Sequence, residues 1–363
     1  MKILITGSNG FIGSNLLYFF KARNYKIFSF TSGMSYKKLF NLIDNVDVIF
    51  HTAGTNRSRK KSDFLINNFQ FTKIILDYLI KKKYKHKYLI YTSTKKIIAK
   101  DIYGISKKKT EDILIKNKKK INLSILRLPN VYGKWSKPNH NSFIATMCYS
   151  ISKNIKIKNI NRNNILSLIY IDDLMILFEK LIKSSKKKLF PKIGPITKTT
   201  VGKVHQIIKS FKEERPNLKS WNMKNKLQKN LYSTYLSYLM PKNFKYKYKS
   251  NIDPRGNFSE LIKPSDDSQI SYFSINPGKS RGGHYHFSKV EKFIPIVGKG
   301  EIIFENIVTK KIFKFKFNSK SSYIIETIPG WKHVIKNTGK NKSYFIVWTN
   351  EKLDIKNPDT YYK

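Results

Sequence analysis

The chain has 363 residues, with 71 Lys or Arg against 23 Asp or Glu and a formal charge of +48. Only eight of the basic residues are arginine; the lysines are scattered through both halves among many Ile, Asn, Tyr and Phe, which is A/T-rich codon drift rather than a nucleic-acid patch, and no nucleic-acid module is present. A single cysteine, Cys148, excludes an internal disulfide, and no apolar run reaches the ~18 residues of a membrane span. The expectation is therefore a cytoplasmic two-domain protein with no nucleic-acid or membrane partner, whose positive field attracts anionic small molecules.

In chain order, residues 2–5 read as a buried strand, and the turn T-G-S-N-G-F-I-G follows with Gly7, Gly10 and Gly13 at G-x-x-G-x-x-G spacing. A helix pattern then runs to about Arg23. Strand, glycine turn and helix is the context in which a pyrophosphate sits on a helix N-terminus, so the turn predicts a dinucleotide site. Lys26 to Phe30 reads as the second strand. No acid stands at its end, where Asp or Glu would bind a ribose 2′-hydroxyl, and Lys37 and Lys38 follow. That leans towards NADPH over NAD. A third strand with a small-residue turn spans Asp47 to Gly54, a long helix is predicted over 63–80, and Lys87 to Thr92 is another strand ending in Thr92-Ser93-Thr94.

Tyr103 and Lys107 stand four residues apart in Y-G-I-S-K-K-K-T-E, hence on one face of a helix. An ammonium at that distance is expected to lower the phenol's pKa and make Tyr103 a proton donor to a developing alkoxide. Further strands are read at Ile121 to Leu126 and Asn164 to Ile171, with helices to about Ser152 and over 200–214 and 225–240. Alternation of this kind implies a doubly wound parallel sheet. The charged stretch from Pro241 marks a boundary, giving domains at 1–245 and 246–363.

From Asn257 the pattern changes to short aromatic and β-branched runs divided by turn residues, as in an antiparallel double-sheet barrel. Gly278 to Gly298 holds His284, His286 and Glu291, and a further histidine stands at His333. Residues i and i+2 of a strand share a face, so His284 and His286 point the same way. Imidazoles and a carboxylate together make a first shell for a divalent cation, zinc by preference. Surface histidines beside a solvated glutamate would explain none of these joint spacings.

These motifs carry resemblances. D-V-I-F-H-T-A-G, Y-G-I-S-K and R-L-P-N-V-Y-G are similar to segments of extended short-chain dehydrogenases. Their implied cofactor contacts fall on Gly7, Gly10, Phe11, Ile12, Gly13, His51, Ala53, Gly54, Lys107 and Asn130. The implied catalytic residues are Tyr103, Lys107 and Thr94, with Ser93 as the alternative hydroxyl. The metal stretch resembles a cupin motif. D-P-R-G-N-F-S-E and R-G-G-H resemble nucleotide-sugar 3,5-epimerases, which implies substrate contacts at Arg255, Glu260 and Arg281. In those enzymes the histidine of the second motif is the base, so His284 has two readings; completion of the set by His286, Glu291 and His333 favours ligand.

Taken end to end, the order resembles the bifunctional capsular-polysaccharide biosynthesis reductase family of the CapF type. The resemblance implies a Rossmann-type α/β domain followed by an all-β cupin barrel, in a homodimer. It also implies a UDP-linked 4-keto-6-deoxy-N-acetylhexosamine as substrate, epimerised at carbon 3 by the cupin and reduced at carbon 4 with NADPH. The product would be UDP-2-acetamido-2,6-dideoxy-β-L-talose, on the route to UDP-N-acetyl-L-fucosamine. A rival is an NAD-dependent nucleotide-sugar 4-epimerase or dehydratase with an accessory sugar-binding cupin. Dehydratases commonly carry Asp-Glu after the catalytic threonine, whereas Lys95 and Lys96 stand here. A sugar-binding cupin on an inactive dehydrogenase is disfavoured by the intact Tyr103 and Lys107.

Overall fold

A computed structural model describes residues 1–362 other than 100, 141, 158, 159, 353, 355 and 357. The chain divides into two compact units, one formed by Met1–Lys209 and Asn230–Met240, the other by Ser210–Lys229 and the chain from Pro241 onward. The last crossing, at Met240/Pro241, lies within a few residues of the boundary expected at 245, while Ser210–Lys229 clusters with the later unit.

In the first unit, β1 (Lys2–Thr6), β2 (Lys26–Phe30), β3 (Val48–His51), β4 (Tyr88–Thr94) and β5 (Asn122–Leu128) form a parallel sheet in the order β2-β1-β3-β4-β5. A smaller sheet joins β6 (Asn130–Tyr132), β7 (Ile165–Tyr170) and β8 (Thr197–Thr200). The strands are apolar on both faces because both are covered. Ile3, Ile5, Phe50 and Ile90 face one core with Leu16 and Phe20 of α1 (Phe11–Lys21). Leu4, Ile49, Leu89 and Tyr91 face the other with Leu39 and Ile43 of α2 (Tyr36–Asp44). The chain runs outward from β1 to β2 and then returns past β1 to β3, and this reversal opens a crevice at the carboxyl ends of β1 and β3.

The helix predicted over 63–80 is a continuous helical run, but not a uniform one. Ser62–Phe64 (α3) passes into a π-helical segment, Leu65–Gln70, before Phe71–Lys81 (α4) resumes α geometry. Hydrophobic spacing carries no signal for one extra residue in a turn; within the wider segment the buried residue is Asn68. The remaining helices are α5 (Ile102–Lys116), α6 (Phe143–Ser152), α7 (Ile171–Lys183), α8 (Val201–Glu214) and α9 (Lys226–Leu236). Among the described residues no helix is long and apolar enough to cross a membrane.

The second unit is built on two antiparallel sheets. One runs β16 (Ile325–Glu326), β13 (Glu291–Val297), β18 (Ser343–Thr349), β11 (Gln269–Ile275), β10 (Gly256–Ile262), β9 (Asn251–Asp253). The other runs β12 (Ser280–His284), β17 (Trp331–Asn337), β14 (Lys299–Asn306), β15 (Ile312–Asn318). Alternate residues point inward, and Phe273, Phe293, Phe345 and Val347 of the first sheet meet Ile302, Phe304, Phe317 and Ile335 of the second in one core.

The glycine turn depends on two close approaches. Gly7 has φ +72°, and its Cα faces the backbone of Ala53 so closely that a Cβ would lie 2.7 Å from Ala53 Cα. A Cβ on Gly13 would lie 2.1 Å from the Gly7 carbonyl oxygen. Gly13→Ala is therefore expected to lower stability by about 1–3 kcal/mol through overpacking, read as a lower urea midpoint at unchanged slope; an unchanged midpoint would show that α1 simply shifts away.

Candidate active sites

The first site is assembled at the carboxyl ends of β1, β3 and β4. The N-terminus of α1 starts at Gly10, and no side chain caps it, so its first N–H groups face outward beside the glycine turn. Gly10, Phe11, Ile12 and Gly13 form that anion-ready end. At the end of β2, the Phe30 carbonyl accepts from Gly7 N at 2.8 Å.

Lys107, on α5, is buried, and its ammonium donates to the Tyr91 hydroxyl and to the Thr92 carbonyl, each at 3.1 Å. Burial pulls its pKa down to about 8, with Glu111 opposing the shift. Tyr103 differs from expectation. Its phenol is pushed up by burial, a hydrogen bond with Thr94 partly offsets this, and Asp101 adds to the rise. The reason is geometric: Lys107 spends its ammonium on Tyr91 and the strand backbone, and the contact that favours the phenolate is with Thr94. This supports Thr94 as the hydroxyl beside Tyr103. Ser93 is drawn away, buried, with its hydroxyl donating to Glu111 at 2.5 Å. Glu111 is itself fully buried and gripped by Arg127 through two nitrogens at 2.9 and 2.6 Å.

His51 holds the crevice floor rather than facing it. Its ring is wholly buried, with Nδ1 2.7 Å from Thr6 Oγ1 and Nε2 2.8 Å from Thr72 Oγ1. Thr72 gives its own proton to the Asn68 carbonyl at 2.6 Å, so it accepts from His51, which fixes the Nε2–H tautomer. Both nitrogens of the His51 ring are thus turned into the core, and its partner Thr6 also accepts from Ala53 N at 3.4 Å. Asn130 is exposed and sits on β6 beside β7.

Asn68 is the residue that sequence reasoning missed. Its amide accepts from Thr55 N at 2.8 Å and donates to the Thr55 carbonyl at 3.0 Å and to Ser106 Oγ at 2.9 Å. A Cβ on Gly54 would lie 2.6 Å from Asn68 Oδ1 and 3.5 Å from Lys107 Nζ, so the three meet. An asparagine inside an apolar helical pattern was the only trace of it in the sequence.

The second site lies where β12, β13 and β17 converge. His284 ends β12, cross-strand from His333 across a bulge after Gly282. His286 lies just beyond β12, and Glu291 opens β13 in the other sheet. The ligand atoms of His284, His286, Glu291 and His333 all lie within 4.8 Å of one another. Glu291 Oε2 is 3.4 Å from His286 Nε2 and 3.3 Å from His333 Nε2. His286 Nδ1 meets the Asp359 carbonyl, which only accepts; a neutral His286 is thus the Nδ1–H tautomer, with a lone pair on Nε2 that has no other partner. At His286 a carboxylate oxygen and an imidazole lone pair then face one another, at a spacing longer than a charge-assisted hydrogen bond, whereas His333, whose Nδ1 has no partner, can turn an Nε2–H towards Glu291. Tetrahedral zinc with ligands at about 2.0–2.1 Å separates them by about 3.3–3.4 Å, which the two Glu291–imidazole spacings match. The residues fit a divalent cation.

The electrostatics agree. Burial, then His333, pulls His284 down to about 4, leaving it neutral. Burial alone would raise the Glu291 carboxyl, but His286, His333 and the Lys289 ammonium hold it well below the usual range. Of the expected substrate residues, Arg255 and Arg281 converge on Asp253, at 2.7 and 3.3 Å. Glu260 does not join them and pairs with Lys263 at 2.7 Å.

Comparison with known proteins extends this picture. Residues 3–193 match the NAD dependent epimerase/dehydratase family, and residues 251–361 match the polysaccharide biosynthesis C-terminal domain. A Pseudomonas aeruginosa protein named UDP-2-acetamido-2,6-beta-L-arabino-hexul-4-ose reductase is 38% identical over 99% of this chain and 98% of its own. The crystal structure of the capsular polysaccharide assembling protein CapF from Staphylococcus aureus superposes with a TM-score of 0.93 at 33% identity, covering 100% of this chain and 99% of that one. A structure of CapF with the inhibitor 3-isopropenyl-tropolone gives 0.87 at 31% identity, with 100% and 99% coverage.

Burial and then Lys107 hold His51 down at about 3, against an ordinary 6.5. The unfolded chain takes up a proton below 6.5 that the folded chain refuses until about 3, so stability is lost as pH falls through that window. The slope from this one group reaches about 1.4 kcal/mol per pH unit. His51→Asn should weaken the fold at pH 7 but flatten the fall in denaturant midpoint between pH 6 and 4; an unaltered slope would place the acid sensitivity elsewhere.

Proposed function

Because this chain belongs to the NAD dependent epimerase/dehydratase family, in the full-length group that includes CapF, we propose that it is a bifunctional nucleotide-sugar enzyme. The Rossmann-type unit reduces the carbon-4 ketone of a UDP-linked 4-keto-6-deoxy-N-acetylhexosamine, and the cupin-type unit epimerises carbon 3. The product is UDP-2-acetamido-2,6-dideoxy-β-L-talose, a precursor of UDP-N-acetyl-L-fucosamine in capsular polysaccharide synthesis. The observation that carries this reading is the buried Lys107 ammonium, 3.1 Å from the Tyr91 hydroxyl and from the Thr92 carbonyl of β4, with Tyr103 one helical turn before it on α5.

A nicotinamide cofactor, its pyrophosphate held by the glycine turn of Gly7, Gly10 and Gly13, would supply the hydride. Tyr103 gives its proton to the carbonyl oxygen as that oxygen gains negative charge, and Thr94 hydrogen-bonds at the same place. A phenol raised by burial is held protonated for this task, while the Lys107 ammonium, bound to Tyr91 and the Thr92 carbonyl, keeps a positive charge beside the end of β4. Asn68 fixes the Gly54 turn against Lys107. NADPH is the preferred donor, since the residues after Phe30 are Thr31 and Ser32, with no acid to meet a 2′-hydroxyl.

In the second unit, the carbon-3 hydrogen is acidic because carbon 4 is a ketone. A zinc ion held by His284, His286, Glu291 and His333 would supply Lewis-acid polarisation of that ketone oxygen. With all four residues as ligands, the proton at carbon 3 goes to a different group. Arg255 and Arg281 are available to anionic oxygens of the substrate. We take the working enzyme to be a cytoplasmic homodimer, as the resemblance to CapF-type proteins implies.

The deciding experiment incubates the protein with a UDP-4-keto-6-deoxy-HexNAc and NADPH in D₂O and follows the product by NMR. Tyr103→Phe should lower NADPH oxidation at least 100-fold while deuterium still enters carbon 3. Loss of both activities together would refute the division of labour. His286→Ala should do the converse, losing bound metal and deuterium exchange while the variant still binds NADPH.

A further inference from the structure

The mechanism above makes no use of the C-terminal segment, yet that segment laces the metal-ligand loop together. The Asp359 carboxylate accepts from three successive backbone N–H groups, Phe287 at 2.9 Å, Ser288 at 2.7 Å and Lys289 at 2.8 Å, and from Ser288 Oγ at 2.9 Å. Those residues are the link between two metal-site residues, His286 and Glu291. The Asp359 carbonyl accepts from His286 Nδ1. One residue thus grips the loop through its side chain and turns the ligand's ring through its main chain. Tyr361 extends the hold: it pairs with Tyr285 through both backbone bonds, at 2.9 and 3.0 Å, and its ring lies 5.5 Å from that of Tyr285 and 5.0 Å from that of Phe287. Tyr362 ends the segment with its ring 5.6 Å from that of His284.

We infer that Asp359 is a positioning residue for the metal centre: anchored by its carboxylate on the 287–289 turn, it presents the carbonyl that fixes the tautomer and direction of His286. The inference rests on the reading of the four-residue cluster as a cation site. Its logic is that of an outer-shell partner. A ring nitrogen that must donate to a fixed carbonyl leaves the other nitrogen's lone pair aimed at the cation, and such partners set affinity without touching the metal. Here the carbonyl comes from the far end of the chain, so its place is only as firm as the carboxylate's four hydrogen bonds.

The test uses the full-length protein with Asp359→Ala and Asp359→Asn, and a chain that stops before Pro358. Zinc affinity is measured by competition with a chromophoric chelator, and the His286 tautomer by ¹⁵N NMR of the ring in the metal-free state. Asp359→Ala and the shortened chain should bind zinc about 10–100-fold more weakly, and Asp359→Asn, which keeps one acceptor oxygen, by less. In both weak binders the His286 ring should lose its pure Nδ1–H form. An unchanged tautomer and zinc affinity within twofold of the parent protein, in variants with the parent's circular dichroism, would overturn the inference. Should the parent protein take up no zinc, the metal reading fails, and the tautomer comparison still decides the role of Asp359.

Discussion

The second unit turns on a problem of lone pairs. A buried carboxylate oxygen of Glu291 faces the nitrogens of His286 and His333 at 3.4 and 3.3 Å. A neutral His286, its Nδ1–H given to the Asp359 carbonyl, cannot donate to that oxygen, so the arrangement favours a positive charge close by; the Lys289 ammonium, 3.6 Å from Glu291 Oε1, is one, and a bound cation would be another. Both sheets contribute to it: His284 and His333 are cross-strand neighbours in one, Glu291 comes from the other, and the inward alternation that builds the apolar core also aims these side chains together. The fold and the site are thus one pattern, with polar residues taking inward positions that phenylalanines occupy further along the strands.

The first unit meets a different demand, a polar crevice floor under an apolar parallel sheet. It is met by a chain of hydroxyls and one neutral imidazole. Thr6, His51, Thr72 and the Asn68 carbonyl satisfy one another in sequence, and Thr110 bonds that carbonyl as well, at 3.1 Å. The π-helical turn belongs to this network, since a wider turn frees the carbonyl that the two threonine hydroxyls then fill. Such turns recur at functional sites, and this one delivers Asn68 to Lys107 and Gly54.

Much of this was legible in the sequence. The glycine spacing, the Tyr103–Lys107 interval and the alternation from Asn257 onward each encode geometry directly, because period and spacing are what backbone structure repeats. The clustering of His284, His286, Glu291 and His333 was legible for the same reason. What stayed hidden is of two kinds. Asn68, Glu111 and Arg127 act through burial and partners distant in sequence, and no local pattern reports those. His51 and Ser93 were visible as residue types in family positions, but which way a side chain turns depends on its partners: Thr6 and Thr72 in one case, Glu111 in the other. The expected lowering of the Tyr103 phenol failed similarly, because four residues of helix bring an ammonium to the right face without saying to whom it bonds.

The way the chain is apportioned between units has a further meaning. It passes from the first unit to the second, back, and out again, with two of the passages inside α8 and α9 rather than in loops. The regions that match known families, 3–193 and 251–361, stop on either side of the Met240/Pro241 crossing, so a single cut there would interrupt neither, while α8 and α9 are the elements whose residues are shared out between the two units.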